Sequence, residues 1–281
     1  MTGVFDDTPQ QRRIAHTDAR EEIRQLGLGL KDSAPHQLST YRAASSHSST
    51  DVWPADERWL DVAMVYTYFR GFDKAWNKNQ PDVYEVSHAE FAKIPVRPFF
   101  LGESTYEGEH GEWGSVVQAR KQAYWCLLGG GFGHTYGSPN WNFPANWRAV
   151  LEQPGAVSLK HLRTLFESRP RWKLLPDLRN VVAIDGRGTF AANDYAVTAL
   201  ADDGSFAIAY LPTRRALTVD LTKLSGETVN AWWFNPRTGE TACDGAFREK
   251  KPRGFEPPAE GDWVLVLDDA SKNHPAPASI P

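Results

Sequence analysis

A glutamate at the end of a short apolar run is the residue of this sequence best suited to chemistry. The run extends from Val96 to Leu101 between Pro95 and Gly102, and Glu103 follows directly. An apolar run of this length, bounded by proline and glycine, is typical of a buried parallel strand. Ligands and catalytic groups collect at the carboxyl ends of such strands. Glu103 is therefore predicted to act as a nucleophile or general base, although it could instead pair with an arginine or cap the following loop.

Polar and aromatic residues also follow other apolar runs of the chain, and these are predicted to lie at the same edge of a parallel sheet. Glycoside hydrolysis needs such a face, because one carboxylate attacks or activates water and a second acid protonates the leaving oxygen. Aromatic rings can then stack on the sugar. The residues predicted to bind substrate are His36, Tyr41, Arg42, Arg70, Tyr106, Glu107, His134, Tyr136 and Trp141.

Some of these residues fit structural roles equally well. His134 could be a buried, hydrogen-bonded turn residue. Trp141 could belong to the core, and Glu107 could be a solvated side chain of a polar loop. The two arginines, Arg42 and Arg70, could bind substrate hydroxyls or hold the carboxylate of Glu103 ionised.

Composition narrows the class of partner. A net charge of −4 over 281 residues, with no basic stripe, disfavours nucleic acid as a partner. The sequence contains no run of 18 apolar residues, so no membrane span is predicted. Neither the histidines nor Cys126 and Cys243 have the spacing of a metal site, and no cofactor motif is recognised. The predicted partner is therefore a carbohydrate, with no nucleic acid, membrane or cofactor, and the oligomeric state stays open.

Strands and helices alternate over the first 180 residues, which favours βαβ units and a parallel sheet or barrel. Gly27 is predicted to end the first helix. The predicted strands lie near residue 38 and at 59–67, 96–101 and 132–137, and the predicted helices lie at 8–26, 74–91, 115–128 and 157–168.

Short β-type runs separated by turns begin near residue 181, which is typical of antiparallel sheet. The sequence therefore predicts an α/β domain over 1–180, an antiparallel β domain over 181–270 and a disordered Pro/Ala-rich tail over 271–281. The β runs lie at 195–200, 206–211, 217–221, 228–234 and 263–267.

Several stretches, in this order, resemble the apiosidase-like family of glycoside hydrolases. The stretch after residue 230 looks like the β-rich module that follows the catalytic barrel of that family, a module named "putative collagen-binding domain". The resemblance covers roughly residues 5 to 268. The matching stretches are 36–41, 59–64, 101–107, 123–125, 133–137, 231–239 and 262–267.

This resemblance implies a (β/α)8 TIM barrel that acts on polysaccharide side chains with two carboxylates. Glu103 would be the nucleophile at the end of the seventh strand, which places Met1 near the end of the fourth. In the family the acid is an Asp at that fourth strand end. Here Asp6 or Asp7 could serve, or the position could be held by Val4.

The expected fold is thus a partial TIM barrel, about strands 4 to 8, followed by a β-sandwich-like domain. The expected function is glycoside hydrolysis by a chain truncated at its N-terminus. The alternative is a non-catalytic carbohydrate- or matrix-binding protein, or an inactive remnant of such an enzyme. No signal peptide is recognised at Met1, and the resemblance implies export if a longer precursor exists.

Overall fold

The computed structural model describes residues 18–72 and 79–277. Five α-helices lie in this part of the chain, all before residue 168. The helices are α1 (Arg20–Ser33), α2 (Val83–Phe91), α3 (Val116–Leu128), α4 (Trp147–Val150) and α5 (Pro154–Glu167). Among them, no helix is long and apolar enough to cross a membrane.

A four-stranded sheet carries the first half of the chain. Its strands are β1 (His47–Ser48), β2 (Ala63–Tyr66), β3 (Phe99–Glu103) and β4 (Gly133–His134), in that order across the sheet. The last three are parallel to one another, while β1 is antiparallel to β2. Because α2 and α3 lie between the parallel strands in sequence, the predicted alternation of strands and helices is confirmed here.

The strand predicted near residue 38 is wrong. That segment is irregular, and the side chain of Leu38 is 78% exposed. A side chain holds the segment in place of a strand ladder: the carboxylate of Asp61 accepts a hydrogen bond from the Ser39 amide at 2.8 Å and pairs with Lys31 at 2.7 Å. The segment nevertheless places Arg42 at the carboxyl end of the parallel strands, next to Glu103.

Gly27 does not end the first helix, which runs on to Ser33. A Cβ at Gly27 would lie 2.5 Å from the ring of Trp59, so the missing side chain allows the indole to pack directly on the helix. Close packing, rather than a helix stop, is what glycine provides here. The predicted start of this helix at residue 8 lies outside the described residues.

The helix predicted after Gly114 is confirmed. Ser115 caps α3 by accepting a hydrogen bond from the amide of Gln118 at 3.2 Å, and the helix closes at Gly129. Its buried side chains face both the parallel sheet and the β-rich half of the protein. This helix therefore joins the end of the Glu103 strand to the rest of the molecule.

Two antiparallel sheets make up the remainder. Their strands are β5 (Leu174–Pro176), β6 (Ala183–Asp185), β7 (Val197–Ala201), β8 (Phe206–Leu211), β9 (Leu217–Asp220), β10 (Val229–Phe234), β11 (Thr241–Phe247), β12 (Pro252–Phe255) and β13 (Trp263–Asp269). The larger sheet has the order β11-β10-β13-β8-β7-β5 and the smaller the order β12-β9-β6. The five predicted β runs are confirmed, whereas β5, β6, β11 and β12 lack a recognisable pattern because they are short or largely exposed.

The central strands of the six-stranded sheet, β7, β8, β10 and β13, are buried on both faces. One face packs on the smaller sheet through a cluster that includes Leu217, Phe255 and Leu265. The other face packs on α3 and α5, and there the rings of Tyr124 and Tyr210 stack at a centroid distance of 4.5 Å. The β-rich half is therefore continuous with the core under the parallel strands.

The C-terminal segment differs from the disorder predicted for it. Residues 270–272 form a 3-10 turn capped by Asp269. Further on, the carbonyl oxygens of Pro275 and Pro277 accept hydrogen bonds from Arg169 and Thr241, at 3.1 and 2.8 Å. The segment up to residue 277 thus packs along the β-rich half, and residues 278–281 lie outside the described part.

A partly buried histidine on α2 makes stability depend on pH. Burial lowers the pKa of His88 to about 4, against an opposing effect of Asp177. The unfolded chain, with a pKa near 6.5, binds the proton more tightly, so stability falls as pH drops from 6.5 toward 4. We expect His88→Gln to remove about 1–3 kcal/mol of this pH-dependent loss, measured by urea denaturation at pH 7 and 4.5.

The matched control is His36→Gln, because His36 is exposed. This substitution should leave the difference between the two pH values unchanged. Equal acid sensitivity of the wild type and His88→Gln would contradict the assignment to His88.

Candidate active site

Both carboxylate oxygens of Glu103 are engaged at the carboxyl end of β3. Arg42 Nε donates to Oε2 at 2.7 Å, and a second guanidinium nitrogen of Arg42 donates to the same oxygen. The hydroxyls of Tyr68 and Tyr106 donate to Oε1 at 2.8 and 3.3 Å. These hydrogen bonds hold the Glu103 side chain in one orientation. Because the side chain is 15% exposed, a ligand can still reach it.

We call Glu103, Arg42, Tyr68 and Tyr106 the Glu103 group, and Tyr66 lies beside its arginine. These three tyrosines stay protonated over the physiological range. Burial, reinforced by the negative charge of Glu103, raises the pKa of Tyr66 to about 12 and also raises the pKa values of Tyr68 and Tyr106. Neutral phenols are hydrogen-bond donors, which suits them to a carboxylate. The guanidinium of Arg42 lies 4.4 Å from the ring centroid of Tyr66, a cation–π contact that fixes its position.

The loops beneath the glutamate are tied together by a buried amide. Gln122 on α3 accepts a hydrogen bond from the Thr105 amide at 3.0 Å and donates to the Tyr68 carbonyl. Thr105 Oγ1 donates to the same carbonyl at 2.9 Å. The ends of β2 and β3 are therefore held in register by α3, and this positions Tyr68 against Glu103.

Glu107 and Tyr136 contact each other, and each is next in sequence to a residue of the parallel bridge between Tyr106 and Gly137. The Tyr136 hydroxyl donates to Glu107 Oε2, which also accepts the backbone amide of Gly155 at 2.9 Å. Gly155 is in the first turn of α5, where a carboxylate satisfies an orphan N–H and complements the helix dipole. The structure thus gives these two residues a capping role, and their contact with substrate stays a prediction.

We expect Tyr136→Phe to lower the free energy of unfolding by about 1–3 kcal/mol, because it leaves the buried Glu107 carboxylate short of a donor. The KM of any glycoside hydrolysed at Glu103 should not change. Urea denaturation and steady-state kinetics measure the two quantities. A raised KM with unchanged stability would instead restore the substrate-binding interpretation.

The other predicted contacts are dispersed. His36 is exposed, and Tyr41 packs edge-on against Trp53 at 5.6 Å in a separate cluster. Arg70 pairs with Glu85 and bonds to Asn79 at 3.2 Å. Of the substrate-binding residues predicted from sequence, Arg42 and Tyr106 are the two that contact Glu103 in the described part of the chain.

His134 lines a groove between β4 and α5, and its contact with substrate stays a prediction. The groove has a volume of about 310 Å³ and is bordered by Phe132, Leu162 and Arg171. Burial lowers the pKa of His134 to about 4, and its Nε2 has no hydrogen-bond partner among the described residues. The imidazole is therefore neutral at physiological pH. Asp6 and Asp7, the candidate acids, lie outside the described residues.

Sequence reasoning missed the aromatic residues around Tyr68. The ring of Phe72 stacks on Tyr68 at 4.5 Å, and His110 meets both rings edge-on at 5.2 and 5.7 Å. The position of Tyr68 two residues after β2 could have predicted it at the site. The loop that contains His110 has no periodic pattern, so the sequence gives no indication of its position. No cluster of metal-binding side chains occurs within residues 18–72 and 79–277.

Two family models match this chain, one after the other. The family model "Apiosidase-like, catalytic domain" matches residues 6–173, and the model "Putative collagen-binding domain of a collagenase" matches residues 179–268. Curated proteins give no match to this chain.

Two solved structures are similar at 25% identity. One, described as a glycoside hydrolase, has a TM-score of 0.77 over 89% of this chain and 61% of its own length. The other, a glycoside hydrolase family 5 protein from Bacteroides vulgatus ATCC 8482, has a TM-score of 0.79 over 90% of this chain and 60% of its own. The chain thus spans about three fifths of the length of these relatives.

The order of the two matched regions is the order expected from the sequence, and Glu103 lies within the first of them at the end of a parallel strand. The chain therefore belongs to the apiosidase-like family of glycoside hydrolase-like proteins.

Proposed function

We propose that this protein hydrolyses glycosidic bonds in polysaccharide side chains, with Glu103 as the nucleophile. The observation that carries the proposal is the engagement of both Glu103 oxygens by Arg42, Tyr68 and Tyr106 at the end of β3. A carboxylate fixed in this way loses little freedom when it attacks an anomeric carbon. Arg42, Tyr68 and Tyr106 all donate their hydrogen bonds to this carboxylate, which fixes both of its oxygens.

The reaction needs a second carboxyl group, for which we propose Asp6 or Asp7. The acid would protonate the leaving oxygen while Glu103 forms a bond to the sugar. The same group, now a carboxylate, would then take a proton from the water that releases the sugar. In this scheme Glu103 is regenerated and one glycosidic bond is exchanged for two hydroxyl groups.

We further propose that residues 1–180 form part of a (β/α)8 barrel and that 181–270 form a β-sandwich-like domain. The parallel strands β2 to β4, with their intervening helices, support the first assignment. The cluster between the two antiparallel sheets supports the second. Since one face of the six-stranded sheet packs on α3 and α5, we propose that the β domain stabilises the position of these two helices.

The test is the release of reducing sugars from a panel of plant and bacterial polysaccharides by the longest natural form of the polypeptide. We expect hydrolysis of at least one glycan. Retention of a glycan without hydrolysis would contradict the enzyme proposal and favour the alternative, a carbohydrate-binding protein. Retention on a collagen column alone would favour a matrix-binding protein.

A further inference from the structure

An exposed tryptophan lies near the Glu103 group with its orientation fixed. Trp141 is in the 3-10 turn Pro139–Asn142, which follows β4, and its side chain is 64% exposed. Its indole N–H donates to Glu109 Oε1 at 2.8 Å. A large apolar ring that is anchored at its polar edge and open to solvent is suited to stacking on a flat apolar ligand.

The other oxygen of Glu109 faces the aromatic residues beside the nucleophile. It lies 3.8 Å from His110 Nε2, and His110 packs against Tyr68 and Phe72. We call Tyr68, Phe72 and His110 the aromatic wall. Because the Tyr68 hydroxyl donates to Glu103, contacts run without a gap from the nucleophile through the wall to Glu109 and Trp141.

The backbone of His110 supports a role for this arrangement. Its φ of 58° and ψ of 30° place it in the left-handed region, which is uncommon for a residue with a side chain. Such conformations cost of order 1 kcal/mol or more and cluster at ligand sites, where the surroundings hold them in place. Here the strained residue is the one whose imidazole lies between Glu109 and the rings of Tyr68 and Phe72.

We propose that the aromatic wall and Trp141 form two successive sugar-binding positions, with Glu109 as the positioning residue between them. Sugar rings present an apolar C–H face to aromatic rings and hydroxyls to a carboxylate. Two positions beside one nucleophile imply that the substrate presents at least two linked rings there. The favoured substrate is therefore an oligosaccharide or polysaccharide chain. This inference rests on the proposed function for the location of the cleaved bond.

The test compares Trp141→Ala with Trp172→Ala. Trp172 is a matched control because it is 81% exposed, and its neighbour Arg171 contacts the carbonyl of Phe132 at the opposite end of β4. We expect Trp141→Ala to lower kcat/KM on the best polysaccharide substrate by about 5- to 50-fold, as loss of a stacked ring does. Its effect on a 4-nitrophenyl glycoside of a single sugar should be several-fold smaller. Trp172→Ala should change neither rate.

Glu109 is tested by two substitutions of different kind. Glu109→Ala should raise KM for the polysaccharide much as Trp141→Ala does, with little change in kcat. Glu109→Gln keeps an acceptor for the indole N–H and should recover most of the loss. Equal effects of Trp141→Ala on the polysaccharide and the single-sugar glycoside would overturn the inference.

A binding assay separates this inference from the proposed hydrolysis. Glu103→Gln protein is run through native gels containing citrus pectin or arabinoxylan. Retardation that is reduced by Trp141→Ala, and not by Trp172→Ala, would support the two sugar positions even if no hydrolysis is found. Equal mobility of all variants, or no retardation in either polysaccharide, would overturn them.

Discussion

Replacing Glu103 by Gln is expected to reduce turnover by at least about 10³-fold, because a neutral amide cannot replace an attacking carboxylate. The fold should persist. The amide oxygen can still accept from Tyr68 and Tyr106, whose hydroxyls lie 2.8 and 3.3 Å from Oε1. Initial rates on a hydrolysed glycoside, together with a urea unfolding curve, measure the two effects.

The matched control is Glu112→Gln, a change of the same kind at an exposed position of the loop that follows β3. It should retain wild-type turnover. Turnover by Glu103→Gln within about tenfold of the wild-type rate would contradict the assignment of Glu103 as the nucleophile, because loss of a nucleophile lowers turnover far more.

Replacing Asp262 by Ala is expected to destabilise the protein by about 3–5 kcal/mol, because it leaves the buried charge of Arg120 without a partner. Both side chains are almost fully buried, and two bonds of 2.6 and 2.8 Å join them. The Tyr210 hydroxyl also donates to Asp262 at 2.9 Å. This ion pair connects α3 to the start of β13. Its loss should therefore weaken the contact between the β-rich half and the helix that positions Tyr68.

Two comparisons isolate the effect of the buried charge on the free energy of unfolding. Arg163→Ala removes an exposed pair with Glu167 and should cost no more than about 0.5 kcal/mol. The double variant Arg120→Met/Asp262→Leu should recover part of the loss, because no unpaired charge remains. Urea denaturation gives all three values. A loss below about 1 kcal/mol for Asp262→Ala would contradict a bracing role for this pair.

The sequence alone predicts the parallel strand before Glu103 and the helix after Ser115, because each carries a local pattern with clear ends. Arg42 was also predicted at the site, though on a strand that does not exist. Its position depends instead on Asp61 and Lys31, which hold the irregular segment before it. Such side-chain contacts across the fold leave no periodic signal.

The remaining differences have the same origin. Gly27 suggests a helix end, but the ring of Trp59 packs on it. The bond from the Gly155 amide to Glu107, at the start of α5, has no local pattern that predicts it. The edge strands β11 and β12 expose most of their residues, so no alternation of burial marks them. In each case the tertiary partner decides the role.

The most direct measurement is covalent trapping of the nucleophile with a panel of 2-fluorinated 2,4-dinitrophenyl glycosides. The dinitrophenolate leaves without protonation, so the label does not depend on the acid proposed at Asp6 or Asp7. We expect one glycosyl group on the tryptic peptide 94–120, placed by fragmentation on Glu103 and absent from Glu103→Gln. A label on Glu107, Glu109 or Glu112, or equal labelling of wild type and Glu103→Gln, would contradict it.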